Sequence, residues 1–111
     1  MRYALIAAGA AMGGVARYGM STALPIPFPW QTFVVNATGG ALIGYLSHRL
    51  TGDQRFLWIT GFCGGYTTFS TFSIEVVTLL EQGRIGMAGA YVLGSVVVCV
   101  GAAAATYYWT K

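Results

Sequence analysis

The run Gly64-Gly65-Tyr66-Thr67-Thr68-Phe69-Ser70-Thr71-Phe72-Ser73 sits inside an uncharged stretch from Phe56 to Ile74, and its reading decides the fold. Paired glycines followed by five serines or threonines in seven positions make a poor continuous helix. Glycine loses the most backbone freedom on ordering, and hydroxyls offer the backbone competing hydrogen bonds. Apolar residues flank the run on both sides, as in a membrane span. At membrane depth, backbone outside helical geometry is tolerated only where it is buried in protein or lines a polar cavity. The run therefore predicts a membrane helix, residues 56–81, broken near its middle.

The rest of the chain has the same character. Of 111 residues, 56% are apolar, and only nine carry formal charge, six Lys or Arg and three Asp or Glu. That charge density is about one third of an ordinary soluble domain's, too low for a water-facing surface. Uncharged runs also cover Tyr3 to Ala16, Tyr18 to His48 and Ile85 to Thr110. A bilayer-spanning helix needs about 20 mostly apolar residues, so four spans are expected, at 3–24, 30–50, 56–81 and 85–109, in one all-α membrane domain covering 1–111. The first span must carry Arg17 below the interface, because Tyr3 to Ala16 alone is too short. Pro25, Pro27 and Pro29 end it, each lacking an amide donor and restricting the residue before it. Gly52-Asp53 and Gln82-Gly83-Arg84 read as turns. Trp30, Trp58, Tyr107, Tyr108 and Trp109 lie near span ends, where an aromatic belt forms. Sixteen glycines, with Gly9/Gly13, Gly40/Gly44 and Gly61/Gly65 at GxxxG spacing, suit close helix packing, although this spacing is common.

Several function classes fall away. The net charge of +3 comes from scattered single cations, so no patch reads nucleic acid. One histidine, His48, cannot assemble a metal centre, and Cys63 and Cys99 lack ligand spacing. Glycine-rich phosphate loops are absent. The chain is not expected to be an enzyme.

What remains is a set of neutral donors. Asn36 lies about one turn and a half into the second span. Thr67, Thr68, Ser70, Thr71 and Ser73 crowd the third, and Tyr91, Ser95 and Cys99 recur every four residues on one face of the fourth. Neutral donors suit an anion that must be partly dehydrated yet still leave, whereas a fixed buried cation would trap it. Phe69 and Phe72, spaced i, i+3, share a face, and an aromatic ring presents a positive edge to an anion; lipid or helix packing is the simpler role for either ring alone. For Arg17, snorkelling to the interface and pairing with a buried group both stand. Glu75 reads as a mouth residue, a proton-titrating group or an interfacial carboxylate.

The segment Gly61 to Ser73 resembles the signature of the Fluc (CrcB-type) fluoride channels. The likeness extends to Gly14-Val15-Ala16-Arg17-Tyr18 and to Thr32 through Gly39, and so covers nearly the whole chain. The resemblance implies a multi-pass protein of the bacterial inner membrane, forming an antiparallel, dual-topology homodimer with two anion pores. It implies passive export of fluoride, which enters cells as the neutral acid and is trapped on ionising. It places Phe69 and Phe72 in the pore, Asn36 in a vestibule, Arg17 on the first helix, and Tyr91 and Ser95 on a polar track, with Cys99 where a hydroxyl would be expected. Thr68, Ser70 and Thr71 complete the expected ion pathway. It further implies a structural, untransported sodium ion held by the backbone carbonyls of Gly64 and Thr67; a broken helix does free carbonyls. Gly64→Val is expected to disfavour that unwound backbone. The implied partners are fluoride, a second copy of the chain and membrane lipid.

Four spans place Arg2, Arg49, Arg55 and Lys111 on one side and Arg84 on the other, a stronger Lys/Arg bias than dual topology favours. The alternative is a small four-helix multidrug or cation/proton antiporter, which needs a membrane-embedded carboxylate; the first span has none.

Overall fold

A computed structural model describes residues 1–111 as helices joined by short turns. The helices are α1 (Arg2–Ala23), α2 (Trp30–Leu46), α3 (Asp53–Arg55), a π-helical stretch (Phe56–Cys63), α4 (Gly64–Tyr66), α5 (Phe69–Glu81) and α6 (Ile85–Thr110). The proline segment separates α1 from α2, with Pro29 at the α2 N-cap. The second helix stops at Leu46 rather than at Leu50, and Ser47–Arg49 turn away from it. After α5, Gly83 takes φ 75° and the Arg84 amide donates to Leu79 O at 2.9 Å. This six-to-one closure after a left-handed glycine is how a helix satisfies its last carbonyls before a sharp reversal. Residues 53–66 run on as one helix, widened over Phe56–Cys63, and Thr67 and Thr68 then leave it in extended conformation before α5 begins.

Packing follows the glycines. α1 lies against the π-helical stretch and α4, and α2 lies against α6. A Cβ on Gly9 would meet Leu57 O, one on Gly13 would meet Phe62 O, and one on Gly65 would come within 2.5 Å of Ala10 O. Across the other pair, a Cβ on Gly40 would come within 2.8 Å of Cys99 O, and one on Gly44 would meet Ala103 O. All three GxxxG pairs thus lie where two backbones touch. Gly13→Ala is expected to destabilise the fold by about 1–3 kcal/mol through overpacking against backbone that cannot yield. Gly14→Ala, which meets nothing within 4 Å, leaves stability unchanged or slightly raised. Thermal unfolding of both variants in detergent checks the pair.

Burial is the reverse of a soluble domain's. Only 15 of 111 residues are buried, while Leu93, Val97 and Val100 are 69%, 68% and 64% exposed. An outward face this apolar belongs against lipid or another chain. Ile85–Thr110, 26 residues containing an 18-residue stretch of mean hydropathy 2.0, is long and apolar enough to cross a membrane by itself. A small cluster of Leu79, Ala88 and Tyr91 ties α5 to α6, with Trp30, Phe33 and Phe72 packed round it.

Candidate functional site

The break between α4 and α5 is built by side chains that intercept backbone hydrogen bonds. The Thr68 amide, which would continue the helix to Gly64 O, donates instead to Asn36 Oδ1 at 2.8 Å. Asn36 Nδ2 donates back to Thr68 O at 3.1 Å. One side-chain amide on α2 therefore grips both backbone groups of Thr68. Thr68 is also the N-cap of α5: its Oγ1 accepts from the Thr71 amide at 3.2 Å, the donor that would otherwise serve Thr67 O. Gly64 O and Thr67 O are thereby left without protein donors. Cys63 O, by contrast, accepts from the Thr67 amide at 3.0 Å and from Thr67 Oγ1 at 2.9 Å.

Arg17 reaches the same place from α1. Its guanidinium donates to Gly65 O at 3.2 Å, just before the break. This is a buried-partner role, reached across the Gly13 and Gly65 contact that lets α1 approach so closely.

An open groove of about 580 Å³ runs along the break. Its walls bring together Asn36, Gly64, Thr67, Thr68, Phe69, Phe72 and Ser95 from the sequence-predicted set. Cys63 and Cys99 also face it, as do Gly40, expected only as a packing glycine, and Thr60, which the sequence did not single out. The Phe69 ring is 78% exposed, and its centroid lies 5.7 Å from that of Phe72 at 40°. Ser95 is only 6% exposed, and its buried hydroxyl has no hydrogen-bond partner in the chain. A buried hydroxyl without a partner carries a desolvation cost, which a ligand or water in the groove would relieve. No three His, Cys, Asp or Glu side chains converge anywhere to hold a metal by side chains.

Four expected pathway residues do not line the groove. Arg17 is engaged at Gly65 O. Ser70 and Thr71 are exposed on the first turn of α5, Ser70 Oγ lying 3.3 Å from Thr68 Oγ1. Tyr91 is fully buried under Phe72, ring centroids 5.0 Å apart, and its hydroxyl donates to Glu75 Oε1 at 2.8 Å. Thr32 Oγ1 donates to the other carboxylate oxygen, Oε2, at 2.9 Å. Glu75 is thus half-buried and held by hydroxyls from α2 and α6 rather than standing free at an interface. Its spacing offered one signal: Glu75 is i+3 from Phe72, so the carboxylate shares the face on which the aromatic pair lies.

Neutral donors, two aromatic rings and a helix break with unpaired carbonyls describe a conduit for a small ion rather than a reaction centre. The family model described as CrcB-like protein, Camphor Resistance (CrcB), matches residues 4–107. The chain belongs to the CrcB family. It is similar to proteins named fluoride-specific ion channel FluC, among them one from Nitrobacter winogradskyi, 45% identical over 87% of this chain and 85% of that protein. The one from Agrobacterium fabrum is 43% identical over 89% and 87%, and that from Coxiella burnetii 43% over 93% and 92%. CrcB membership covers α1 through nearly all of α6, so the break, the groove and the glycine contacts all lie within the matched region.

Proposed function

We propose that this CrcB-family chain is a passive, fluoride-selective channel that exports cytoplasmic fluoride from bacteria and so relieves its toxicity. The observation that carries this reading is the groove along the α4–α5 break: it offers an amide, hydroxyls and aromatic edges, and no free cation. An anion can be partly dehydrated there without being trapped. The relatives' names agree. Purified protein in liposomes is expected to release fluoride with no imposed proton gradient and to pass chloride far more slowly. Efflux that requires a proton gradient, or transport of a cationic dye instead, would sink the channel reading in favour of an antiporter. Glu75 is the one carboxylate such an antiporter could use, and both of its oxygens are occupied by hydroxyl donors.

In this reading the helices span the bacterial inner membrane four times, with residues 56–81 as a third span interrupted at mid-depth. The working unit is an antiparallel, dual-topology homodimer. Support comes from the exposed side of the break: Phe69 projects away from its own chain, and the Cβ direction of Gly64 meets nothing within 4 Å. A second copy would cover both.

The carbonyls of Gly64 and Thr67 fit a structural sodium ion, because they are neutral oxygens deprived of amide donors by Asn36 and Thr68. When bound, the ion would supply positive charge that steadies the break and the neighbouring anion route. One expectation changes. Gly64 is itself α-helical, φ −62° and ψ −36°, so valine at 64 does not oppose the unwound backbone, which begins only at Thr67. Gly64→Val therefore probes the dimer contact, whereas sodium itself is probed by flux. Protein stripped of sodium is expected to lose most of its fluoride flux and regain it when sodium is restored. Equal flux in sodium-free and sodium-containing buffer would remove Gly64 and Thr67 as ligands.

A further inference from the structure

The two ends of the helix bundle differ in charge. At one end lie the start of α1, the turn after α2, the start of α3 and the end of α6, and with them Arg2, Arg49, Arg55 and Lys111 against a single carboxylate, Asp53. At the other end Arg84 is accompanied by Glu81. The four cations of the first end are all exposed. None of them is bonded to a carboxylate. Arg2 lies over the Phe56 ring at 5.4 Å, Arg49 over Tyr45 at 4.5 Å and Lys111 over Tyr108 at 5.8 Å. Arg55 donates to Ser47 O at 2.8 Å and Leu50 O at 3.2 Å, closing the end of α2 and tying the α3 side of the bundle to the α2 side. The His48 ring lies tilted at 47° against Tyr107, centroids 4.2 Å apart, joining the turn after α2 to α6 at the same level.

Aromatic rings orient these cations without neutralising them. The rings also mark a depth: amphipathic aromatics settle at the headgroup level, with the apolar helices beneath them in hydrocarbon. A platform of oriented, unneutralised cations at that depth is complementary to phosphate, and the phosphate present at that depth is that of the lipid itself. We propose that this end of the bundle, centred on Arg2, Arg49 and Lys111, is a docking surface for the headgroups of anionic phospholipids. The cations are too scattered in sequence to form a basic tail, and they sit at the end of apolar helices, which suits headgroups better than a soluble polyanion. The surface goes beyond the channel reading and does not depend on it, since it lies away from the groove. In an antiparallel dimer the two copies would each present it to a different leaflet, so both leaflets would hold anionic lipid against the protein.

The test uses the whole protein in mild detergent, with binding of short-chain phosphatidylglycerol and phosphatidylcholine followed by native mass spectrometry. Phosphatidylglycerol is expected to bind in preference, and the preference to weaken as salt rises. Each cation contributes roughly fivefold near an anionic surface, so the double variant R49Q/K111Q is expected to lose about 25-fold of the preference. Arg84→Gln, at the opposite end, is expected to change it less than twofold. Unchanged fluoride flux shows that the double variant is folded, and the salt dependence of the parent stands as a second reading should the variant fail to assemble. Equal binding of the two lipids by the parent, an equal loss on Arg84→Gln, or displacement of phosphatidylglycerol by millimolar inorganic phosphate would each overturn the proposal, the last by showing a soluble-anion site.

Discussion

Fluoride efflux from liposomes carrying Asn36→Leu protein is expected to fall by at least about 30-fold, because the substitution removes both bonds that hold Thr68 out of the helix. Thr68 is 8% exposed, so its amide and carbonyl cannot turn to bulk water when Asn36 is lost. Each buried group left unpaired costs about 1–3 kcal/mol. Two such groups disfavour the ordered break by about 2–6 kcal/mol, and every 1.4 kcal/mol is tenfold in population. Leucine keeps asparagine's branching and heavy-atom count while removing its donor and acceptor, although its methyl groups are bulkier where they face Thr68. Asn36 also has a second N–H, beyond the one given to Thr68 O, available to an ion in the groove that it lines. The Thr68 amide separates the two roles by hydrogen exchange. Positioning predicts protection in the parent and rapid exchange in the leucine variant; a purely ion-contacting Asn36 predicts protection in both. Parental flux together with a protected Thr68 amide would remove Asn36 from the mechanism altogether.

That prediction was not available from sequence, and the reason is distance along the chain. The signature from Gly64 to Ser73 announces that a helix cannot run smoothly there, since its glycines and hydroxyls are local features with local consequences. What holds the broken geometry comes from elsewhere: Asn36 is 32 residues from Thr68, and Arg17 is 48 residues from Gly65. Periodicity places Asn36 on a helix face but says nothing about which backbone that face meets. The three GxxxG pairs were legible, because close approach has a short-range signature in residue size. Thr32 and Tyr91 converging on Glu75 were not, since a carboxylate in a span reads alike whether it meets water, a cation or two hydroxyls. Nor was the π-helical stretch: Phe56-Leu57-Trp58-Ile59-Thr60-Gly61-Phe62-Cys63 is ordinary apolar helix by composition. Tyr91 shows a further limit. Its spacing with Ser95 and Cys99 suggests one continuous track, yet Phe72 covers its ring and Glu75 accepts its hydroxyl's hydrogen bond, leaving only the two C-terminal members on the groove.

Replacing the phenylalanines should separate conduction from stability, because the two rings are held so differently. Phe69 is largely exposed on its own chain, so Phe69→Ile is expected to leave the unfolding temperature of the chain unchanged. Phe72 packs on Tyr91 beside the Leu79–Ala88–Tyr91 cluster, so Phe72→Ile should lower it by several degrees. Both substitutions keep an apolar side chain and remove the ring's quadrupole. Loss of about 1.4 kcal/mol of edge stabilisation per ring corresponds to about tenfold in flux for either variant and about 100-fold for both if their effects multiply. Phe69→Tyr retains the ring and is expected to keep most of the parent's flux. The decisive comparison is Phe69→Ile, where folding and conduction are predicted to part company. A loss of flux at an unchanged unfolding temperature can come only from the route the ion takes or from the surface a second copy covers, and an unchanged sedimentation profile removes the second. Parental flux in both isoleucine variants would mean that the rings serve packing alone, and that the neutral donors at Asn36 and Ser95 carry the anion unaided.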